Sequence, residues 1–244
     1  MKKMILSAAL VLASTAAMAQ SGTFQLKANL KNMGDTIIVY KGRGEKRDTI
    51  LVKKDKFTYS ATLTQPKEMM FAQPAIFRGG RAEAFYLVCV PGETAEVVGD
   101  LKAKFDIKGS NFYKQFAEVD AMKDEADKEL ADFEKSINEK MKNGGDREAL
   151  MKEYEEKAPA LTKVKEEKML AFIGQHPDYE ASATLIGEMS SCENMQKAVD
   201  MLSAQVKNGR MKAFYEPIVE RAKKQAEMEE KAKVVQASGV EAPD

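Results

Sequence analysis

The sequence predicts an α+β protein: an N-terminal antiparallel β-sandwich or partly open barrel, followed by a helical region with a long αα-hairpin. Three observations carry this. From Phe24 to about Lys108, apolar and polar residues alternate with a period near two. After Gly109-Ser110 the period becomes helical. Turn sequences rich in Gly, Asp and Asn punctuate the first part at short intervals, as in sandwiches and small barrels.

The first twenty residues come before either part. Lys2 and Lys3 form a positive start, Met4 to Ala13 an apolar run, and Ala17-Met18-Ala19 a small-residue cleavage site. That combination predicts a signal peptide over 1–19, a mature chain beginning at Gln20 and a periplasmic location. No Cys stands directly after the apolar run, and no later segment reaches the roughly 20 apolar residues of a spanning helix. No stable membrane anchor is expected.

In the β domain, 20–109, Phe24, Leu26, Ala28 and Leu30 alternate with polar residues, as do Phe57, Tyr59, Ala61 and Leu63. Asn32-Met33-Gly34-Asp35, Lys41-Gly42-Arg43-Gly44, Lys53-Lys54-Asp55-Lys56, Arg78-Gly79-Gly80-Arg81 and Pro91-Gly92-Glu93-Thr94 read as turns. The run Phe85 to Val90 is apolar at every position and predicts a central strand buried on both faces. About eight strands are expected.

In the helical region, 110–236, Phe112, Phe116, Val119, Ala126, Leu130, Phe133, Ile137 and Met141 step by three, four or seven. Ser110 stands where an N-cap belongs, and Asn143-Gly144-Gly145-Asp146 reads as a stop, a turn and a new cap. A second helix carries Leu150, Tyr154, Leu161, Val164, Met169 and Phe172, with a kink or break expected at Pro159. Asp178 is expected to cap a short helix ending at Met189. One helix is expected from Glu193 to Lys207, and a last one from Met211 to Gln236, bent near Pro217 and polar from Arg221 to Lys233.

The 38 basic and 38 acidic residues cancel, and loss of Lys2 and Lys3 leaves 36 against 38. Such a balance argues against a nucleic-acid partner. Two Cys and one His offer no CxxC and no zinc-type spacing, so neither metal nor cofactor is expected. Cys89, in the most apolar run, reads as a small buried hydrophobe. Cys192 falls in the first turn of a helix, where the dipole favours a thiolate, but has no resolving partner in sequence. A Cys89–Cys192 disulfide is compatible with an oxidising compartment. His176, before Pro177, has no acidic or hydroxyl partner at catalytic spacing and reads as a loop or capping residue. The glycines at 42, 44, 79 and 80 lack the Lys-Ser/Thr of a phosphate loop and read as turns. Met69-Met70 would point to opposite faces of a strand, which makes a soft-metal site a poorer reading than packing. The Glu/Lys runs at 123–140 and 152–168 read as solvated helix faces.

Several segments, in order, carry a resemblance. Asp48-Thr49-Ile50-Leu51-Val52 leads through Lys53–Lys56 into Phe57-Thr58-Tyr59. Phe85-Tyr86-Leu87-Val88 runs into Pro91-Gly92-Glu93-Thr94 and Val97-Val98-Gly99-Asp100, and Ile107-Lys108-Gly109-Ser110 opens the helices. This arrangement resembles the N-terminal domain of unknown function that precedes thioredoxin-like domains in periplasmic thiol–disulfide oxidoreductases of Gram-negative anaerobes. Phe172 to Asp178 resembles that family's helical linker, and Ala242-Pro243-Asp244, within a linker start at 237–244, resembles the opening of the thioredoxin-like domain. The resemblance implies a CxxC pair in that following domain, with no counterpart in this chain. The expected role is a non-catalytic accessory module, with a protein partner or self-association. Phe112, Phe116, Phe133 and Tyr154 on the hairpin seam are the expected packing or dimer surface. The alternative is a stand-alone periplasmic protein that binds a ligand or another protein.

Overall fold

The computed structural model describes residues 21–238. The expected signal peptide at 1–19 and the segment from Gly239 to Asp244 lie outside the described residues. Strand β1 (Gly22–Lys31) buries Phe24, Leu26, Ala28 and Leu30 and exposes the residues between them. Seven more strands follow: β2 (Thr36–Tyr40), β3 (Asp48–Leu51), β4 (Lys56–Leu63), β5 (Lys67–Ala72), β6 (Ala84–Cys89), β7 (Thr94–Asp100) and β8 (Phe105–Gly109). They form two open four-stranded sheets, ordered β4-β1-β7-β8 and β3-β2-β5-β6. The sheets face each other through aromatic side chains. Phe71 of β5 lies 5.6 Å from Tyr59 and 6.5 Å from Phe57, both of β4, and stacks on Phe85 of β6 at 5.0 Å.

The pairing departs from a purely antiparallel domain at one place: β1 and β7 run parallel, with Leu26 opposite Ala95 and Ala28 opposite Val97. A parallel neighbour requires a crossover, and here the chain from β2 to β6 supplies it, taking in the whole second sheet as well as β4. The run Phe85–Val90 is also corrected. β6 lies at a sheet edge, not its centre, and Tyr86 is 59% exposed. The burial of Val88 on the outer face comes from the helical region packed beside it, so a fully apolar run can mark a covered edge.

The helical region opens with α1 (Asn111–Lys142) and α2 (Arg147–Gln175), an antiparallel hairpin. At 1.5 Å per residue, the 32 residues of α1 extend about 48 Å. Asp146 caps α2 by accepting hydrogen bonds from the Glu148 N–H at 2.9 Å and the Ala149 N–H at 3.4 Å. Ser110 stands at the N-cap position of α1, but its hydroxyl does not cap the helix. It faces β7, accepting from the Thr94 N–H at 2.8 Å and donating to the Glu93 carboxylate. Pro159 neither ends nor divides α2. The proline removes one N–H on the exposed side of the helix, and buried Ala158 beside it keeps the hairpin contact.

The last third is broken more often than its periodicity suggests. A 3₁₀ helix, Glu180–Glu188, replaces the short α-helix expected after Asp178, and Tyr179 is its N-cap. The single helix expected from Glu193 to Lys207 is two, α3 (Cys192–Met201) and α4 (Ala204–Lys207). Leu202 turns out of the helix in extended geometry, buries itself, and lets Ser203 cap α4. Finally α5 (Lys212–Ser238) continues through Pro217, with Arg221 to Lys233 almost wholly exposed. Val164, assigned to the hairpin seam by spacing, is exposed. Buried residues of the sheets and helices join in one apolar cluster reaching from Phe24 to Val219.

Candidate functional site

The two halves are locked together at the start of α1. Glu93, 6% exposed in the turn before β7, accepts from the Ser110 hydroxyl and from the Phe112 N–H at 3.3 Å. Its other oxygen accepts from Arg210 Nη2 at 2.6 Å. Arg210 also grips Glu180 through Nε and Nη2, and donates from Nη1 to the Pro91 carbonyl at 3.0 Å. A carboxylate from a β-turn thus performs the helix capping that Ser110 does not. Burial alone would raise the Glu93 pKa, but the bonds from Ser110, Arg210 and Phe112 outweigh it and hold the carboxyl below its ordinary range. On the opposite side of the joint, Tyr113 is fully buried and donates from its hydroxyl to the Val88 carbonyl at 2.7 Å.

Beside this lock lies a cleft of about 730 Å³ between the sheet edges and the helices. Its floor combines Val88 of β6, Phe105 and Ile107 of β8, Phe116 of α1, and Phe214 and Ile218 of α5. Both strands here are sheet edges, and ladder phase determines which of their backbone groups are free. The Gln73 N–H donates to the Glu83 carbonyl at 3.0 Å, so residues 85, 87 and 89 pair with β5. The N–H and C=O groups of Ala84, Tyr86 and Val88 therefore point away from the sheet. Tyr113 occupies the Val88 carbonyl; the other outward groups of β6 have no hydrogen-bond partner among the described residues. By the same logic, the Ser110 N–H to Thr94 carbonyl bond turns the backbone groups of Phe105 and Ile107 outward from β8.

The rim is charged. Lys104 pairs with Asp124 at 3.1 Å and Lys123 pairs with Glu188. Glu68 and Asp120 share the rim, and neither has an ion-pair partner among the described residues. Loss of hydration raises the pKa of both carboxyls, helped by Glu188 beside Glu68 and by Asp124 beside Asp120. The cleft thus offers an apolar floor, open strand edges and two acidic groups with no ion pair of their own among the described residues, Lys123 acting on both only from a distance. Such junctions between structural units are where ligand sites concentrate.

The residues singled out from the sequence lie elsewhere. Cys89 is fully buried, its thiol directed at the Leu87 carbonyl at 3.6 Å, and burial pushes its pKa far above the ordinary thiol range. Cys192 occupies the first position of α3 and is partly exposed; both thiols are free, with no disulfide between them. Buried Glu166 of α2 holds this helix start, accepting from the Ser190 N–H and from Asn194 Nδ2. Phe112 is 1% exposed and belongs to the core, whereas Phe116 is partly buried against that core and lines the cleft. Phe133 and Tyr154 stack on each other at 5.9 Å across the hairpin. The structure does not bring these four residues together as one patch. His176 ends α2 with its ring between Phe172 and Tyr179, 4.5 Å from each. Gly79 closes a 3₁₀ turn, Pro74–Arg78, in the left-handed conformation.

The sequence reading missed Glu93, Arg210, Glu68 and Asp120. Pro91-Gly92-Glu93-Thr94 marked the turn, but nothing in it linked Glu93 to Arg210, which lies 117 positions away. Among the described residues no group of three His, Cys, Asp or Glu side chains is arranged to hold a metal ion, and no helix is long and apolar enough to cross a membrane. Comparison of the chain with protein-family models, curated proteins and solved structures returns no match.

Proposed function

We propose that this chain is a non-catalytic interaction module of an exported thiol–disulfide oxidoreductase, which holds a partner polypeptide or positions a redox domain in the periplasm. The observation that carries the proposal is the cleft at the sheet–helix junction, with its apolar floor and unpaired strand edges. Free sheet edges beside an apolar groove recognise extended polypeptides, because backbone groups supply affinity and alternate side chains supply selection. The redox context rests on the resemblance of 24–110 and 172–178 to the accessory region of such oxidoreductases. The thiols are consistent with a supporting role: Cys89 is buried and Cys192 stands apart from it.

Two measurements test the proposal. Incorporation of benzoylphenylalanine in place of Tyr86, in the living cell, should give a discrete protein adduct on irradiation. The same group in place of Val98, on the outer face of the other sheet, should not. Equal labelling from both positions, or none from position 86, would remove the cleft as the partner site. Insulin-reduction activity of the purified chain equal to that of a thioredoxin control would overturn the non-catalytic assignment.

A second reading is a stand-alone envelope protein that binds a small apolar ligand. The cleft volume favours it, since about 730 Å³ lies within the range of roughly 300–1,000 Å³ common for ligand pockets. A ligand-dependent rise in melting temperature, abolished by filling the floor with Ile107→Trp, would support this reading.

A further inference from the structure

Two features of the cleft, its open edge and its excess of acidic over basic side chains, specify more than a general binding surface. The open edge has a defined length. The N–H and C=O of Ala84 and Tyr86, together with the Val88 N–H, point outward and lack partners among the described residues. The Tyr113 hydroxyl already occupies the Val88 carbonyl and closes the edge there. Strand residues advance about 3.4 Å each, so the opening accommodates roughly five residues of extended chain. Tyr86, 59% exposed, stands at its middle. An edge left open beside an apolar floor is a liability unless a strand is meant to cover it.

The charge is equally specific. Rim lysines Lys104 and Lys123 are engaged with Asp124 and Glu188, so the carboxylates left over are Glu68 and Asp120. Glu68 sits on β5 directly opposite Val88, and Asp120 lies on α1 one turn beyond Phe116. They therefore border the floor from its sheet side and its helix side.

We infer that the cleft receives an extended polypeptide segment that adds as a strand along β6 and brings a lysine or arginine side chain to the Glu68 and Asp120 carboxylates. This rests on the reading of the chain as an interaction module and names the chemistry of what that module holds. Apolar side chains of the segment pack on Val88, Phe105 and Phe116, while its backbone pairs with Ala84 and Tyr86. The occupant is a polypeptide because only a backbone supplies donors and acceptors at strand spacing. It is basic because the unmatched charge of the cleft is acidic.

The test uses three blocked seven-residue peptides with the purified mature chain. One alternates valine and lysine, the second has glutamate for lysine, and the third is the lysine peptide with every backbone amide N-methylated, so that neither of its edges can donate. In amide-resolved NMR titrations, the lysine peptide should shift the Ala84, Tyr86 and Val88 signals. The glutamate and N-methylated peptides should bind at least tenfold more weakly. In the double variant Glu68→Gln/Asp120→Asn, the preference for lysine over glutamate should fall below twofold with the melting temperature unchanged. Equal binding of lysine and glutamate peptides to the parent chain would overturn the charge assignment. Equal binding of the N-methylated peptide would overturn strand addition, and absence of shifts at 84, 86 and 88 would overturn both. These comparisons on the parent chain decide the matter even if the double variant misfolds. An adduct from position 86 without binding of the lysine peptide removes this inference and leaves the module reading intact. The reverse pattern removes the cellular partner and leaves the strand site.

Discussion

At the scale of single residues, the two thiols separate by environment. Cys89 lies in the sandwich core and Cys192 on a partly exposed helix start. A thiol reagent such as dithionitrobenzoate should modify one cysteine per native chain and two after denaturation, and Cys192→Ser should abolish the native reaction. Rapid native modification of both would contradict the burial of Cys89. Glu93 makes a different prediction, about acid. Its folded pKa lies below its ordinary value of 4.5, so its contribution is present above that value and is lost as pH falls through the folded pKa. Glu93→Gln should cost about 1–3 kcal/mol at neutral pH, since it weakens the Arg210 contact and the α1 cap together. The variant should also lose less stability than the parent between pH 6 and pH 3. Urea denaturation across that range measures both effects, and parallel pH profiles would exclude Glu93 as an acid-sensitive contact.

Among the elements, the joint between β8 and α1 depends on Gly109. The residue has φ of 154°, and a Cβ there would lie 2.0 Å from the Thr94 carbonyl oxygen. Glycine alone permits β7 and β8 to approach this closely while the chain turns into α1. Gly109→Ala should therefore destabilise by more than the roughly 1 kcal/mol of an ordinary glycine substitution. It should also disturb the Ser110 hydroxyl and Glu93, which thermal melting and the amide signals of Thr94 and Phe112 would reveal. Gly44 is the control: its φ is also positive, but a Cβ there would meet nothing within 4 Å. Gly44→Ala should leave the joint signals in place.

For the whole molecule, the shared apolar cluster predicts one cooperative unfolding transition for sheets and inner helices. The far half of the hairpin stands apart from it, with Ile137, Leu150 and Ala158 buried only between its own helices. Hydrogen exchange should therefore be faster over 128–157 than over 112–119 and 169–173; uniform protection along α1 would refute that division. The same distinction explains what could be read from the chain. Alternation in Phe24–Leu30 and Phe57–Leu63, the change of period after Gly109, and the Asp146 cap are local signals, and β1, β4, α1 and α2 follow them closely. Where a reading failed, distant parts decided. Val88 is buried because helices cover an edge strand, and Ser110 turns from its helix because Glu93 caps it from a β-turn. Leu202 breaks a helix to reach the core. The cleft was not legible at all, for it combines residues from β5, β6, β8, α1, the 3₁₀ helix and α5. Periodicity and turn chemistry act over a few residues, and they are enough to set the α+β class, the order of sheets before helices and the hairpin. Tertiary structure alone decided the parallel β1–β7 pair, the Glu93–Arg210 lock and the open, acidic strand edge, because each depends on groups that only long-range packing brings within reach.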